Sequence, residues 1–557
     1  MKRASHGSRA HRSMQLFGGV LCASLALAPS AGASTGPASP ASVYASAIAG
    51  TIVRSAPPGP AAAGPLSAAA RPRGARRVPH LRSGLTPSVA APLEASALAG
   101  SSGSLLANFN GVSSADSAAT NFGSEFEPPD QGLCVGGGFV VEMVNSAYTV
   151  YDTHGHALAG PFNVNGPFDE GLTEFTSDPR CQYDAATNTW FAVILATNKG
   201  ETESFVDVAV NTSGDPRTPW TSYRINTTDA GGRTGPHHKG CPCLGDQPTL
   251  GIDAHNLYVT TNEFALVGEQ SNGAQIYALA KKDLVALATE VHQVHFDKLT
   301  IGGGPATSVQ PALTTGTANA EYFLSAIDPT ETGDERIGVW ALTKAQLVAK
   351  GGIPQLSAVV LPSEAYKGPP KAEQKGTATL IDSGDDRMQQ AQFVNGSVWG
   401  ELGTALNVGG DPTTRSGAAW FQVAPQLKGG VIAGASMQRQ GYVASAGNYT
   451  LYPALEVSPS GTAAMVMTLS GAKRFASAAF TTLAPKASAF APITVAAGGT
   501  TSYDPAGERW GDYSWAVLDP SGKSVWLATE YVPPKASQTP DGLHNWGTRV
   551  LDVSTGG

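Results

Sequence analysis

Beyond its first 30 residues the chain lacks any apolar run long enough to cross a bilayer, it is short of basic residues, and the familiar catalytic strings are missing. There is no Gly-x-Ser-x-Gly elbow, His-Glu-x-x-His helix, phosphate-binding Gly-Lys loop or dinucleotide fingerprint. Their absence removes the common routes to nucleophilic, zinc-hydrolytic, nucleotide and nicotinamide chemistry. Residues 1–103 hold ten of the 36 basic residues and one of the 44 acids, which leaves 26 basic and 43 acidic residues in 104–557. A body this acidic repels phosphate backbones, so nucleic acid is excluded as a partner.

The one long apolar run belongs to a leader. Residues 1–34 read as a signal peptide: Lys2, Arg3, Arg9 and Arg12 precede an apolar core from Leu16 to Leu27, and Ala31-Gly32-Ala33 forms a small-residue cleavage site. Residues 35–103 are rich in Ala, Pro, Ser and Gly and nearly free of aromatics, a composition that buries too little apolar surface to offset its ordering entropy. They read as a disordered linker. Five cysteines occur, and Cys22 leaves with the leader. An even count remains for an oxidising compartment, with Cys134–Cys181 the favoured pair and Cys241 and Cys243 either joined or reduced.

What the chain does have is a repeat. A polar lead-in precedes an apolar strand, a tight turn, and a second strand carrying Tyr, Phe or Trp. The clearest copies are 246–259, 452–466 and 512–526; others are 130–141, 178–193, 310–324 and 386–399. Third strands follow at 274–281, 337–344, 418–423 and 547–553. Such units cannot bury their own faces, and all-strand units fit a closed ring better than an open stack. The predicted fold is all-β: a seven-bladed β-propeller over 104–557, closed by an N-terminal strand at 105–112 that completes the last blade. Loops of some size are expected at 226–245 and 361–383.

The strings Pro128-Pro129-Asp130, Ser177-Asp178-Pro179-Arg180, Gly245-Asp246-Gln247-Pro248, Thr261-Asn262-Glu263-Phe264 and Arg509-Trp510-Gly511-Asp512-Tyr513-Ser514 resemble a family of secreted bacterial propeller proteins. That family is in turn loosely similar to the sialidase-like superfamily. The resemblance covers about 105–553 and implies the propeller, but no reaction, because propellers host hydrolases, lyases, lectins and scaffolds alike.

Three constellations are candidates for chemistry. The lead-in acids Asp130, Asp178, Asp246, Asp386 and Asp512 should gather on one rim, where they either secure turns or hold Ca2+ with their oxygens. Arg180, Arg387 and Arg509 adjoin these acids, and three guanidinium groups at one mouth would clamp a carboxylate, as sialidase-like enzymes do. A glycosidase would then draw its acid and nucleophile from groups such as Glu263, Glu530, Tyr513 and Tyr531. The chain departs from that family in having no Phe-Arg-Ile-Pro string and only a degenerate Asp-box at 213–220. The third, His237-His238-x-x-Cys241-x-Cys243, is poorly spaced for zinc and reads as a disulfide-tied loop. The expectation is an exported monomer whose mouth binds an extracellular glycan, protein or cell-surface ligand, with a sialidase-like glycoside hydrolase as the alternative.

Overall fold

The computed structural model describes residues 36–41, 45–55, 86–89 and 103–556, apart from 173, 232–235, 269, 328–331, 504–508 and 540–543. The leader assigned to 1–34 lies outside the described residues. The fold is mostly β. Four-stranded antiparallel meanders succeed one another at 132–163, 175–226, 243–297, 310–366, 388–443 and 449–497. In the last meander Trp515–Leu518, Ser524–Tyr531 and Gly547–Ser554 are joined by Leu105–Ser113, which pairs antiparallel with Gly547–Ser554. First strands of consecutive meanders touch one another, and Trp515–Leu518 touches Gly132–Gly136. This is β-propeller architecture, with the polar lead-in of each repeat just before or within the first part of an inner strand.

The local chemistry of the repeat accounts for the strands. Inner and second strands are almost continuously buried because both faces pack against neighbouring meanders. Trp190, Trp340, Trp399, Trp420 and Trp526 are fully buried or nearly so, and Trp399 stacks on Trp420 with centroids 6.1 Å apart. Turn residues act as their types dictate. In Asp519-Pro520-Ser521-Gly522, the Gly522 N–H donates to the Asp519 carbonyl at 2.7 Å, and Gly522 takes φ +70°. Gly132 permits the first two inner strands to approach: a Cβ there would lie 2.7 Å from the Pro179 carbonyl oxygen.

The fold departs from the sequence expectation in two places. Part of the segment taken as a linker is strand: Ser46–Val53 pairs antiparallel with Glu290–Asp297 and adds an outer strand to the third meander. Its Ser-Ala-Ile-Ala-Gly-Thr-Ile-Val sequence carries enough apolar residues to dock, and Ile52 is buried there against the core. Short pieces at Ser39–Pro40 and Ser88–Val89 pair likewise with Gln355–Tyr366 and Ser397–Val408. The loop expected at 361–383 starts later, because the strand Gln355–Tyr366 continues through its first residues.

Both cysteine pairs are disulfides, Cys134–Cys181 between the first two inner strands and Cys241–Cys243 within one loop. The first closes a loop with a sequence separation of 47 residues, the second one of 2. Cross-linking a chain removes unfolded-state entropy that grows with loop length. Replacing Cys134 and Cys181 by Ala should therefore cost about 4 kcal/mol of stability by loop entropy. The Cys241→Ala/Cys243→Ala variant should lose much less. Denaturant unfolding of both variants checks the order, and equal losses would contradict it.

Candidate functional site where the inner strands begin

The string at 509–514 shows how the site is assembled, since every residue in it has a separate partner. Arg509 Nη2 donates to Asp512 Oδ2 at 2.8 Å. Trp510 is fully buried, edge-on to Tyr503, and its Nε1 donates to Thr468 Oγ1 at 3.1 Å. The Gly511 N–H donates to Glu530 Oε2 at 2.7 Å, and a Cβ at Gly511 would meet that same oxygen at 2.9 Å. The Asp512 N–H donates to Asp130 Oδ1 at 2.7 Å, which ties the last repeat to the first. Tyr513 lies under Arg180, whose Cζ is 3.0 Å from the ring centroid and 4.3 Å from that of Trp515. Ser514 Oγ donates to Thr529 Oγ1 at 2.8 Å.

Four of the five predicted lead-in acids and all three arginines share one electrostatic neighbourhood. Asp130 feels Asp178 and Arg509; Asp178 feels Asp246, Asp512 and Arg180; Asp246 feels Arg387, Asp512 and Arg509. The cluster has two layers. Asp385, Arg387, Arg509 and Asp512 keep 14%, 13%, 20% and 24% of their side-chain surface open. Asp130 and Arg180 are completely buried below them, with Asp178 nearly so.

The arginines are not equivalent. Arg387 binds Asp385 through Nε, at 2.7 and 2.8 Å from the two oxygens, and through Nη2, while its Nη1 reaches the Gln247 side-chain carbonyl. Arg509 is paired with Asp512. Arg180 has no hydrogen-bond partner on any guanidinium nitrogen among the described residues and is held by aromatic faces instead. A ready carboxylate clamp needs free guanidinium forks, and two of the three are already neutralised in place.

The remaining candidates divide. Glu530 belongs to the cluster: it caps Gly511 and feels Asp130, Glu127 and Asp512, and burial pushes its pKa well up. Its neighbour Tyr531 points the opposite way and donates to Asn110 Oδ1 at 2.5 Å, as strand alternation requires. Glu263 does not join the arginines. Its Oε2 lies 2.7 Å from His238 Nδ1 and its Oε1 accepts from Asn272 Nδ2 at 2.6 Å, in the third meander. Asp386 is buried, and the acid that meets Arg387 is the preceding Asp385. Within this cluster Arg180, Arg387 and Arg509 supply the positive charge beside Asp130, Asp178, Asp246 and Asp512.

Sequence reasoning passed over Asp385, Gln247 and Asn145. Asp385 had a signal: Asp-x-Arg occurs at 178–180, 215–217, 334–336 and 385–387, and in the last three copies the carboxylate pairs with the arginine two residues on. Asn145 had none. Its amide donates to Asp130 Oδ2 at 2.8 Å and accepts from the Asp178 N–H at 2.8 Å, a link that exists only once two meanders are side by side.

No family model matches the chain and no curated protein does. Among solved structures it is similar to an α-L-arabinofuranosidase of Fusarium graminearum bound to arabinobiose. That match has 8% identity and a TM-score of 0.34, over 80% of this chain and 98% of that one. It is also similar to the NanB sialidase of Streptococcus pneumoniae, with 8% identity and a TM-score of 0.36, over 75% of this chain and 82% of that one. Identities this low leave the chemistry to be read from the chain's own residues.

Burial and then the charge of Asp178 push Asp130 up to about 7. Burial and then Asp246 and Asp512 do the same to Asp178, also to about 7. A carboxyl whose pKa is higher folded than unfolded takes up its proton first in the folded state. Its contribution to stability is then fully present below the ordinary value near 4 and is lost as the pH rises through about 7. Each such carboxyl lowers stability by about 1.4 kcal/mol per pH unit across that window. The melting temperature should therefore be higher at pH 5 than at pH 8, and Asp178→Asn should flatten the profile. A wild-type profile that rises from pH 5 to pH 8 would refute this account of the cluster.

Proposed function

We propose that the protein is an exported seven-bladed β-propeller, closed by Leu105–Ser113, that binds an extracellular glycan at the acid–arginine cluster. The closed ring is supported by the pairing of Leu105–Ser113 with Gly547–Ser554 and by the contact between the last and first inner strands. Export is supported by the two disulfides and by the leader-like 1–34. Among the described residues no helix is long and apolar enough to cross a membrane.

The observation that carries the binding site is the two-layered cluster. Its open layer presents Asp385, Arg387, Arg509 and Asp512 from two repeats. Carboxylate acceptors beside guanidinium donors suit hydroxyl groups, each of which both gives and accepts a hydrogen bond. The buried layer of Asp130, Asp178 and Arg180 keeps the upper one in place, so a ligand meets a preorganised surface.

Glycoside hydrolysis is the second reading, and one observation favours it. Asp130 and Asp178 hold pKa values of about 7 beside Asp246 and Asp512 at about 6, each raised chiefly by burial. Carboxyls poised near neutrality can give and take protons at a glycosidic oxygen. Against it stands the arginine clamp, already closed by Asp385 and Asp512.

A glycan array probed with the protein purified from culture medium separates the readings. Retained glycans should be lost with Arg509→Met or Asp512→Asn, at least tenfold in affinity, about 1.4 kcal/mol. Turnover of fluorogenic glycosides that disappears in Asp178→Asn would establish the hydrolase instead. No retention and no turnover would overturn both.

A further inference from the structure

We propose that Asp229, His238 and Glu263 form a site for one divalent metal ion of the zinc class, distinct from the acid–arginine cluster. The motif His237-His238-x-x-Cys241-x-Cys243 marks the segment but not these ligands. His237 is exposed and His238 buried, so the adjacent histidines point apart. Cys241 and Cys243 are joined to each other and offer no thiolate.

The ligand atoms come together through a hairpin. The His238 N–H donates to the Asp229 carbonyl at 2.9 Å, and Ala230 bridges His237, so Asp229 and His238 face each other across its stem. His238 Nδ1 is then 2.7 Å from Glu263 Oε2 and 3.5 Å from Asp229 Oδ2. On the far side of the ring, Nε2 is 2.7 Å from Asp297 Oδ2. A metal-bound histidine characteristically donates its other ring N–H to a carboxylate, which fixes the tautomer and aims the lone pair at the ion. Asp297 is placed for that positioning role. Asn272 holds the other oxygen of Glu263 at 2.6 Å.

Charge supplies the independent observation. Asp229, Glu263 and Asp297 are 4%, 1% and 1% exposed, and one imidazole stands among the three carboxyls. Asp297 Oδ1 is buried with no hydrogen-bond partner among the described residues, and the buried Asp229 Oδ2 has the His238 ring at 3.5 Å and Glu263 beside it. Lys298, the lysine ion-paired with Asp297, keeps its Nζ 4.0 Å away. Buried charge of one sign is paired or coordinates a metal. One nitrogen and two carboxylate oxygens are a donor set that zinc accepts, with a position left for water. His238 also lines a cavity of about 400 Å³ with Lys239, Asn272 and Lys298.

The test uses the full protein, stripped with chelator, tag-free and kept oxidised, and titrated with Zn2+ by calorimetry. One ion should bind with a dissociation constant in the micromolar range or tighter. Asp297→Asn should weaken binding by about 10- to 100-fold, and Asp229→Asn by more. X-ray absorption of the zinc-loaded wild type should show only nitrogen and oxygen neighbours at about 2.0–2.2 Å. That measurement needs no variant to fold. Absence of binding, unchanged affinity in a folded Asp229→Asn protein, or a sulfur shell at about 2.3 Å would each overturn the assignment.

Discussion

The fold depends on how the inner strands satisfy their open edges. Each first strand pairs with its own second strand on one side only, which leaves a row of N–H and C=O groups facing the place where the meanders meet. Buried backbone groups of this kind must find partners. Where neighbours are close enough they pair in parallel, as Ile252 does with Leu313 and Ala312 with Ala391. Elsewhere glutamines substitute for a strand. Gln310 donates to the Met388 carbonyl at 2.9 Å. Gln390 donates to the Ala516 carbonyl at 2.6 Å and accepts from the Ala516 N–H at 3.2 Å. Gln392 does the same with the Leu455 carbonyl and the Val457 N–H. A primary amide carries a donor and an acceptor together, so it can stand in for a peptide group.

That constraint also shapes the segments that lead into these strands. Asp130, Asp178, Gln247, Ser308 and Tyr452 all take positive φ, between 44° and 59°, just before or within the first part of their inner strands. Register shifts accompany three of them, opposite Val193/Leu195, at Asp246/Thr249 and at Leu451/Ala454. A bulge bends a strand and re-aims its side chains. Here it turns the carboxylates toward one another. At Asp130 and Asp178 the left-handed backbone falls on a residue type that tolerates it, and the same residue supplies charge to the cluster. Burying acids so close together would be unfavourable without Arg180, Arg387 and Arg509 among them.

Much of the fold was legible in the chain because the repeat states it many times. The polar lead-ins, the apolar inner strands and the Asp-Pro-Ser-Gly turn each follow from local composition. The strand at Ser46–Val53 was not legible, since an Ala- and Gly-rich octapeptide gains order only when an existing sheet edge receives it. The site was legible in part. Asp130, Asp178, Asp246 and Asp512 recur at one place in the repeat, and the three arginines flanking such acids stood out. The choice of Asp385 over Asp386, and the departure of Glu263 to His238, depend on which way a side chain leaves its strand.

The chain alone determined its periodicity, its acidic body, its turns and the residues that start each inner strand, because these are properties of neighbours along the sequence. Tertiary structure alone decided which charges meet. Arg180 and Tyr513 are separated by more than half of the chain, as are Asp130 and Asp512, and only the approach of the last meander to the first brings them within hydrogen-bond or ring contact. Coulombic and hydrogen-bond energies depend on distance through space, and spacing along a polymer does not encode that distance until the chain has turned back on itself.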